Sequence, residues 1–200
     1  MLNLFPEEKI ILKLPDALFE YYPNFLNKEK ADELYNLLYK NTPWQQDIIT
    51  VYGKDHQQPR LTALYGNEGK PYKYANIIMN PHPWNLTLTH IKELVEDKAN
   101  HNFTTVLLNM YRNEKDSNGW HADNEKELGR NPIIASVSLG EERTFQIKHN
   151  TNKEAKLNLI LKHGSLILMK EGSQIHYKHQ IPKTKNPKKT RINLTFRTIL

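Results

Sequence analysis

Gly119-Trp120-His121-Ala122-Asp123-Asn124-Glu125 is the stretch on which the rest of the chain turns. Its chemical content is an H-x-D pair. In an extended segment successive side chains point to opposite faces, so His121 and Asp123 project the same way. An imidazole and a carboxylate side by side fit two adjacent corners of a metal's coordination sphere. One more distant histidine completes a two-His-one-carboxylate facial triad, whose remaining positions stay open at non-haem Fe(II). Alone, H-x-D arises by chance, and most isolated cases are surface residues. Its meaning depends on what surrounds it.

Two hundred residues fit one domain with a sizeable core. Lys and Arg number 28 against 22 acidic residues, a net charge of +6 that suits a polyanion partner without requiring one. There is no cysteine, which excludes disulfides, zinc ribbons and thiol nucleophiles and leaves His and carboxylates as the ligands for any metal. The segment from Met1 to Ile11 carries Glu7, Glu8 and Lys9 in place of a long apolar run, and no stretch approaches a membrane span. The expectation is a soluble, intracellular protein, monomeric by default, with no membrane partner.

In chain order, residues 1–15 read as a leading strand or arm. Ala31, Leu34, Leu37 and Leu38 recur at helical spacing and predict a helix near 28–40, with Asn27 as N-cap and Pro43 as its stop. Ile48 to Gly53 is β-prone, and Gly53-Lys54-Asp55 reads as a hairpin turn. Tyr52 is then either an exposed tip or a strand aromatic. Tyr72 and Tyr74 share a face at period two, as a base-stacking platform or a plain sheet-surface pair. Leu88, Ile91, Leu94 and Val95 predict a second helix near 85–98. Beyond it come short β-rich runs: Phe103–Met110, Ile133–Leu139, Arg143–Lys148, Leu157–Leu161, Leu166–Met169 and Arg191–Ile199. Their spacing is that of a double-sheet jelly roll. Lys183 to Arg191 is a charge run with Pro182 and Pro187, read as a mobile basic loop that could hold phosphates.

Three features converge on the H-x-D pair. The third ligand would come from His149, His163, His176 or His179. The last two differ in parity, and spacing alone leaves them tied. Next, Arg191, Asn193, Thr195 and Arg197 fall on one face of a predicted strand, with Ile192, Leu194 and Phe196 on the other. That face is either wet or the lining of a site for a dianion, which a guanidinium fork holds in two parallel charge-assisted bonds. Finally, Asn109 and Tyr111 share a face and could grip the same acid or be satisfied core polar groups.

In these residues the chain resembles the AlkB-type Fe(II)/2-oxoglutarate dioxygenases, from about Pro23 to Leu200. The likeness rests on Asn109-Met110-Tyr111, Trp120 to Glu125, Pro132 to Gly140, His163-Gly164-Ser165-Leu166, His179-Gln180-Ile181-Pro182 and Arg191 to Arg197. It implies a mainly β fold with flanking helices, a double-stranded β-helix core at 101–200 and an N-terminal helical and hairpin nucleotide-recognition lid within 1–100, all one domain. It implies iron held by His121, Asp123 and His179, and 2-oxoglutarate bound by Asn109, Tyr111, Arg191, Asn193, Thr195 and Arg197. In that likeness Arg191 takes the far carboxylate and Arg197 the metal-proximal one, and O2 is the co-reactant. The activity implied is oxidative demethylation of N-alkylated bases in DNA, chiefly 1-methyladenine and 3-methylcytosine, with release of formaldehyde and succinate.

Within the family the likeness is to the member that repairs double-stranded DNA. Val51-Tyr52-Gly53 resembles its base-replacing finger, Arg60, Tyr72 and Tyr74 its substrate lid, and Glu125 the acid that meets the flipped base's exocyclic amine. Tyr52 stands where that finger has Phe; it keeps the stacking face but adds a hydroxyl to desolvate. Three other readings are an RNA or single-strand demethylase of the same chemistry, a protein hydroxylase, and a non-catalytic β-roll binding module.

Overall fold

The computed structural model of the chain describes residues 9–51, 53–67, 72–74 and 77–200. Helix α1 (Lys28–Asn41) begins where Asn27 accepts from Lys30 N at 2.9 Å, and it buries Ala31, Leu34 and Leu38. Asn85 caps α2 (Leu86–Ala99) in the same way, and Asn100, at φ 50, ends it. Caps of this kind stabilise a helix end by about 1 kcal/mol. A single helical turn, α3 (Ser173–His176), follows Gly172 at φ +74.

The strands in order are β1 (Ile10–Leu12), β2 (Leu18–Tyr22), β3 (Ile48–Val51), β4 (Lys54–Gln57), β5 (Leu61–Gly66), β6 (Tyr72–Tyr74), β7 (Ile77–Met79), β8 (Thr105–Tyr111), β9 (Asn118–His121), β10 (Ile134–Gly140), β11 (Arg143–His149), β12 (Lys156–Leu161), β13 (Ser165–Lys170), β14 (Tyr177–Ile181) and β15 (Arg191–Arg197). A seven-stranded sheet runs β1-β2-β13-β10-β15-β8-β5 and a four-stranded sheet runs β12-β11-β14-β9. This is the double-sheet architecture expected, with β3–β4 and β6–β7 as separate hairpins. Three strands of the larger sheet, β1, β2 and β5, come from the first hundred residues.

The two faces of the larger sheet meet different partners. One lies under α1 and α2 in a core that includes Leu34, Ile91, Val106, Val137 and the Ile192, Leu194 and Phe196 row of β15. Each of those three β15 side chains is wholly buried, worth about 1.5–3 kcal/mol. The other face meets the smaller sheet through Leu107, Tyr111, Phe145, Ile147, Met169 and Tyr177. β15 is therefore buried along its whole length on both sides.

Three expectations need correcting. The β3–β4 turn falls earlier than Gly53-Lys54-Asp55: Val51 already pairs with Lys54, and Gly53 takes φ +74, where glycine meets no Cβ penalty. The segment holding His176 and His179 is not one strand, because His176 closes α3 and only His179 lies in β14. The basic run is anchored: Lys188 Nζ meets Glu141 Oε1 at 2.8 Å, and Thr184 N donates to Glu114 O at 3.1 Å.

Candidate metal and dicarboxylate site

The register of the smaller sheet assembles the first three site residues. In the antiparallel β9–β14 pair His121 stands opposite His179, so both rings leave the same face, with centroids 4.3 Å apart. Asp123 follows two residues beyond, and one donor atom from each of His121, Asp123 and His179 lies within 4.8 Å of the others. Among the described residues this is the one cluster of three such groups close enough to share an ion.

The protonation states suit a cation. Burial, with the neighbouring His121, pushes His179 down to about 3, so its imidazole is neutral at physiological pH. Burial also lowers His121. Its Nδ1 donates to Gly119 O at 2.8 Å, which makes Nε2 the lone-pair nitrogen; it accepts from Asn118 Nδ2 at 3.2 Å and is the atom that would turn to an ion. Burial alone would raise Asp123, but Arg197 and the two histidines hold it at about 2, an anion. Two neutral imidazoles and a carboxylate form the donor set that divalent iron takes.

Ladder pairing sets the second half of the site. β15 sits between β8 and β10, with Arg191 opposite Tyr111 and Asn193 opposite both Asn109 and Ser138. Period two therefore gathers Asn109, Tyr111, Arg191, Asn193, Thr195 and Arg197 on one face. That face is not wet: its four β15 members are only 1%, 6%, 7% and 4% exposed. All six line one cavity together with His121, Asp123 and His179, about 470 Å³ counting the space open to solvent.

Within it the polar groups differ in how far the protein already satisfies them. Asn193 Nδ2 donates to Ser136 Oγ at 2.7 Å and its Oδ1 accepts from Thr195 Oγ1 at 2.9 Å. Asn109 Oδ1 accepts from Arg60 Nε at 2.8 Å. Arg197 Nη2 donates to Asp123 Oδ1 at 2.8 Å, so this arginine grips the carboxylate of the triad directly. Arg191 lies 5.2 Å from the Tyr111 ring and donates Nη2 to Ser138 Oγ at 2.8 Å. Its Nε and Nη1 are buried and meet no partner among the described residues. Burial drives its pKa down to about 10. A buried cation with two unsatisfied donors facing a cavity fits an incoming carboxylate, as 2-oxoglutarate would bring.

The other histidines have structural work. His163 Nδ1 accepts from Gly140 N at 2.8 Å while its Nε2 faces Asp32 Oδ1 at 3.1 Å. His149 Nδ1 accepts from Thr151 N and Asn152 N in the β11–β12 turn, and its ring stacks on His176.

Of the expected nucleic-acid residues whose side chains the structure describes, Arg60 reaches this group, through Asn109. Arg60, expected in the lid, is instead buried, with Nε on Asn109 and Nη1 on Ser117 O at 3.3 Å. Glu125 is half-buried ahead of a short 3-10 turn and is not part of the cavity lining. Val51 ends β3 and Gly53 is exposed. Tyr52 and the side chains of Tyr72 and Tyr74 lie outside the described residues.

Spacing arguments miss Asn118, Ser136 and Gln174. Asn118 has the wrong parity to join His121, yet the register shifts between His179 and Ile181, and it lines the same cavity with Nδ2 3.2 Å from His121 Nε2. Ser136 has a readable signal, since Ser136 and Ser138 alternate on one strand face. Gln174 has none.

A family model described as the 2OG-Fe(II) oxygenase superfamily matches residues 19–197. The human alpha-ketoglutarate-dependent dioxygenase alkB homolog 3 is 40% identical over 187 residues, covering 89% of this chain and 65% of that protein. Human DNA oxidative demethylase ALKBH2 is 34% identical over 189 residues, covering 90% of this chain and 72% of that protein. The chain thus spans a little under two thirds of the first relative's length, and of these two the identity is higher to homolog 3. Two solved structures share the fold at 14% identity. OsALKBH1 has a TM-score of 0.68 and covers 96% of this chain and 100% of its own. A Trichoplax adhaerens prolyl hydroxylase bound to a hypoxia inducible factor peptide has a TM-score of 0.60, over 90% and 83%.

Proposed function

For a chain that belongs to the 2OG-Fe(II) oxygenase superfamily and, within it, to the AlkB family, we propose an Fe(II)- and 2-oxoglutarate-dependent demethylase of N-alkylated bases in DNA, chiefly 1-methyladenine and 3-methylcytosine. The observation that carries this reading is the buried polar face of β15: it runs from the His121, Asp123 and His179 cluster at Arg197 to a half-satisfied guanidinium at Arg191. No packing argument accounts for such a face, because unsatisfied buried donors cost stability.

His121 through Nε2, His179 and the Asp123 carboxylate are the metal ligands. When bound, Fe(II) with 2-oxoglutarate and O2 supplies the oxidation that turns an N-methyl into an N-hydroxymethyl group, which falls apart to formaldehyde and the free base, leaving succinate and CO2. Arg191 holds the far carboxylate of the keto acid, with Tyr111 against its guanidinium and Ser138 on its Nη2. Asn109, Asn193 and Thr195 complete the polar wall. Arg197 keeps Asp123 ionised and aimed, and it stands where the metal-proximal carboxylate of 2-oxoglutarate would lie. Leu107, Phe145, Leu161 and Met169 line the rest of the cavity and limit water there.

The substrate base must leave the stack to present a methyl group on its pairing edge, at a cost of about a few kcal/mol, less where the lesion has weakened pairing. Tyr52 of Val51-Tyr52-Gly53 is the residue to fill the gap. Tyr72, Tyr74 and Glu125 are the remaining substrate contacts, with Tyr74 and His121 on either side of the flipped ring, while Arg60 backs the polar wall from within through Asn109. We read 1–200 as one catalytic domain, acting as a monomer inside the cell. Among the described residues no helix is long and apolar enough to cross a membrane. The likeness to ALKBH2, a DNA oxidative demethylase, supports DNA as the polymer; the same chemistry on RNA or on single strands is the second reading.

The test is incubation of methylated oligonucleotides with the chain, Fe(II) and 2-oxoglutarate, with base masses read before and after. Matched duplex DNA, single-stranded DNA and RNA separate the two polymer readings. Unchanged masses on all three, with no succinate formed, reject the proposal.

A further inference from the structure

Asp123 lies beyond the end of β9, so no strand ladder holds its backbone. Its N–H donates instead to Gln174 Oε1 at 2.9 Å, and both residues are 1% exposed. Gln174 belongs to α3, the helical turn that runs directly into β14 and so into His179. The turn is a fixed platform. Gly172 N donates to Asn131 Oδ1 at 3.0 Å, Asn150 Nδ2 donates to Ile175 O at 2.9 Å, and a Cβ on Gly172 would overlap Asp16 O. The other end of the Gln174 amide faces Ser173 Oγ at 3.3 Å and Met169 Sδ at 3.5 Å, the latter a weak acceptor. Its shortest bond is the one to Asp123.

We propose that Gln174 is a positioning residue of the metal centre, tying the H-x-D arm to the arm that carries the distal histidine and so setting how far Asp123 stands from His179. This rests on the reading of His121, Asp123 and His179 as metal ligands. Arg197 fixes Asp123 at its carboxylate and Gln174 fixes it at its backbone. With both ends held, the ligand oxygen keeps its place before an ion arrives, which is what tight metal binding requires of the groups behind a ligand.

Two variants of the full chain test it, with Co(II) as probe. Gln174→Met keeps the length and removes the acceptor. Gln174→Glu keeps the acceptor but places a carboxylate in a buried slot. Co(II) affinity is read from its d–d absorption, and thermal melts of the metal-free proteins run beside it. The Met variant should bind Co(II) roughly 10- to 100-fold more weakly, with an altered band at saturation, while the Glu variant stays near wild type. The melts should run the other way, since an apolar side chain suits the slot better than a charge. If Co(II) affinity simply follows the melts, or the Met variant binds within about threefold of wild type, the proposal is overturned. Asp123→Ala separates the two levels. Undiminished Co(II) binding there removes the metal reading itself, whereas loss there with the Met variant intact removes only the role of Gln174.

Discussion

Arg191→Met should separate ligand binding from stability, because the two respond to opposite features of the same side chain. Methionine keeps most of the length and most of the apolar contact but carries no charge. In the metal-free protein the guanidinium is costly: burial pushes its pKa down to about 10, and at about 1.4 kcal/mol per pH unit that deficit costs the fold on the order of 3 kcal/mol. Losing the bond to Ser138 Oγ returns about 1.5–3 kcal/mol of the other sign, the contact with Tyr111 being already included in that pKa. The two nearly cancel, so the metal-free melting temperature should move by no more than about 5 °C. Binding has no such compensation. A carboxylate left without its guanidinium in a desolvated pocket loses about 2–5 kcal/mol, which is roughly 30- to several-thousand-fold in the 2-oxoglutarate dissociation constant. Calorimetric titration of 2-oxoglutarate into the Mn(II)-loaded protein, with parallel melts, measures both. A dissociation constant within about threefold of wild type would show that Arg191 faces the cavity without serving a dicarboxylate.

Further outcomes follow from the same geometry. Asp123→Ala should abolish metal-induced thermal stabilisation, read as equal melting temperatures with and without Mn(II). Arg197→Met leaves a buried Asp123 carboxylate unpaired and should destabilise the metal-free fold by about 3–5 kcal/mol, checked by urea unfolding. His163→Ala removes the acceptor for Gly140 N and should cost about 1–3 kcal/mol of stability while Co(II) affinity stays at the wild-type value; weakened Co(II) binding would reopen the choice of third ligand. Burial alone would raise the Asp116 carboxyl, but its side-chain and backbone bonds from Arg112 hold it below the usual range. A lowered folded pKa contributes stability that is present above the unfolded value of 3.8 and lost as pH falls through the folded one, so Asp116→Asn should flatten that acid loss in urea titrations of the metal-free protein.

Much of the frame could be read from side-chain periodicity. The apolar spacing of α1 and α2 and the alternation of β15 each arise from one face being buried, and burial is what pattern reports. The polar face of β15 marked its own site because four consecutive odd positions carried groups that a solvent-facing strand has no reason to choose so uniformly. The shorter elements left no such trace. α3 has only four residues, and β9 and β14 have four and five, so tertiary pairing fixes them. That is why His176 and His179 could not be told apart by parity, and why Asn118 seemed to point away from His121. Arg60 was expected as a lid cation and is a buried one, since its depth depends on Asn109 arriving from another strand. The role of Gln174 depends on a contact between residues 51 positions apart, which no local pattern encodes.

The placement of β15 between β8 and β10 has a consequence for biogenesis. The strand closest to the C-terminal end of these residues is the one that joins two blocks of the larger sheet made much earlier in the chain. A nascent polypeptide stalled before Arg191 would hold His121, Asp123 and His179 yet expose the unzipped edges of β8 and β10 to each other and to neighbouring molecules. Amide exchange in β8 and β10 should therefore be among the slowest in the finished protein and fast in a fragment cleaved ahead of β15. Competence for chemistry and resistance to aggregation would be acquired together, as β15 is laid in.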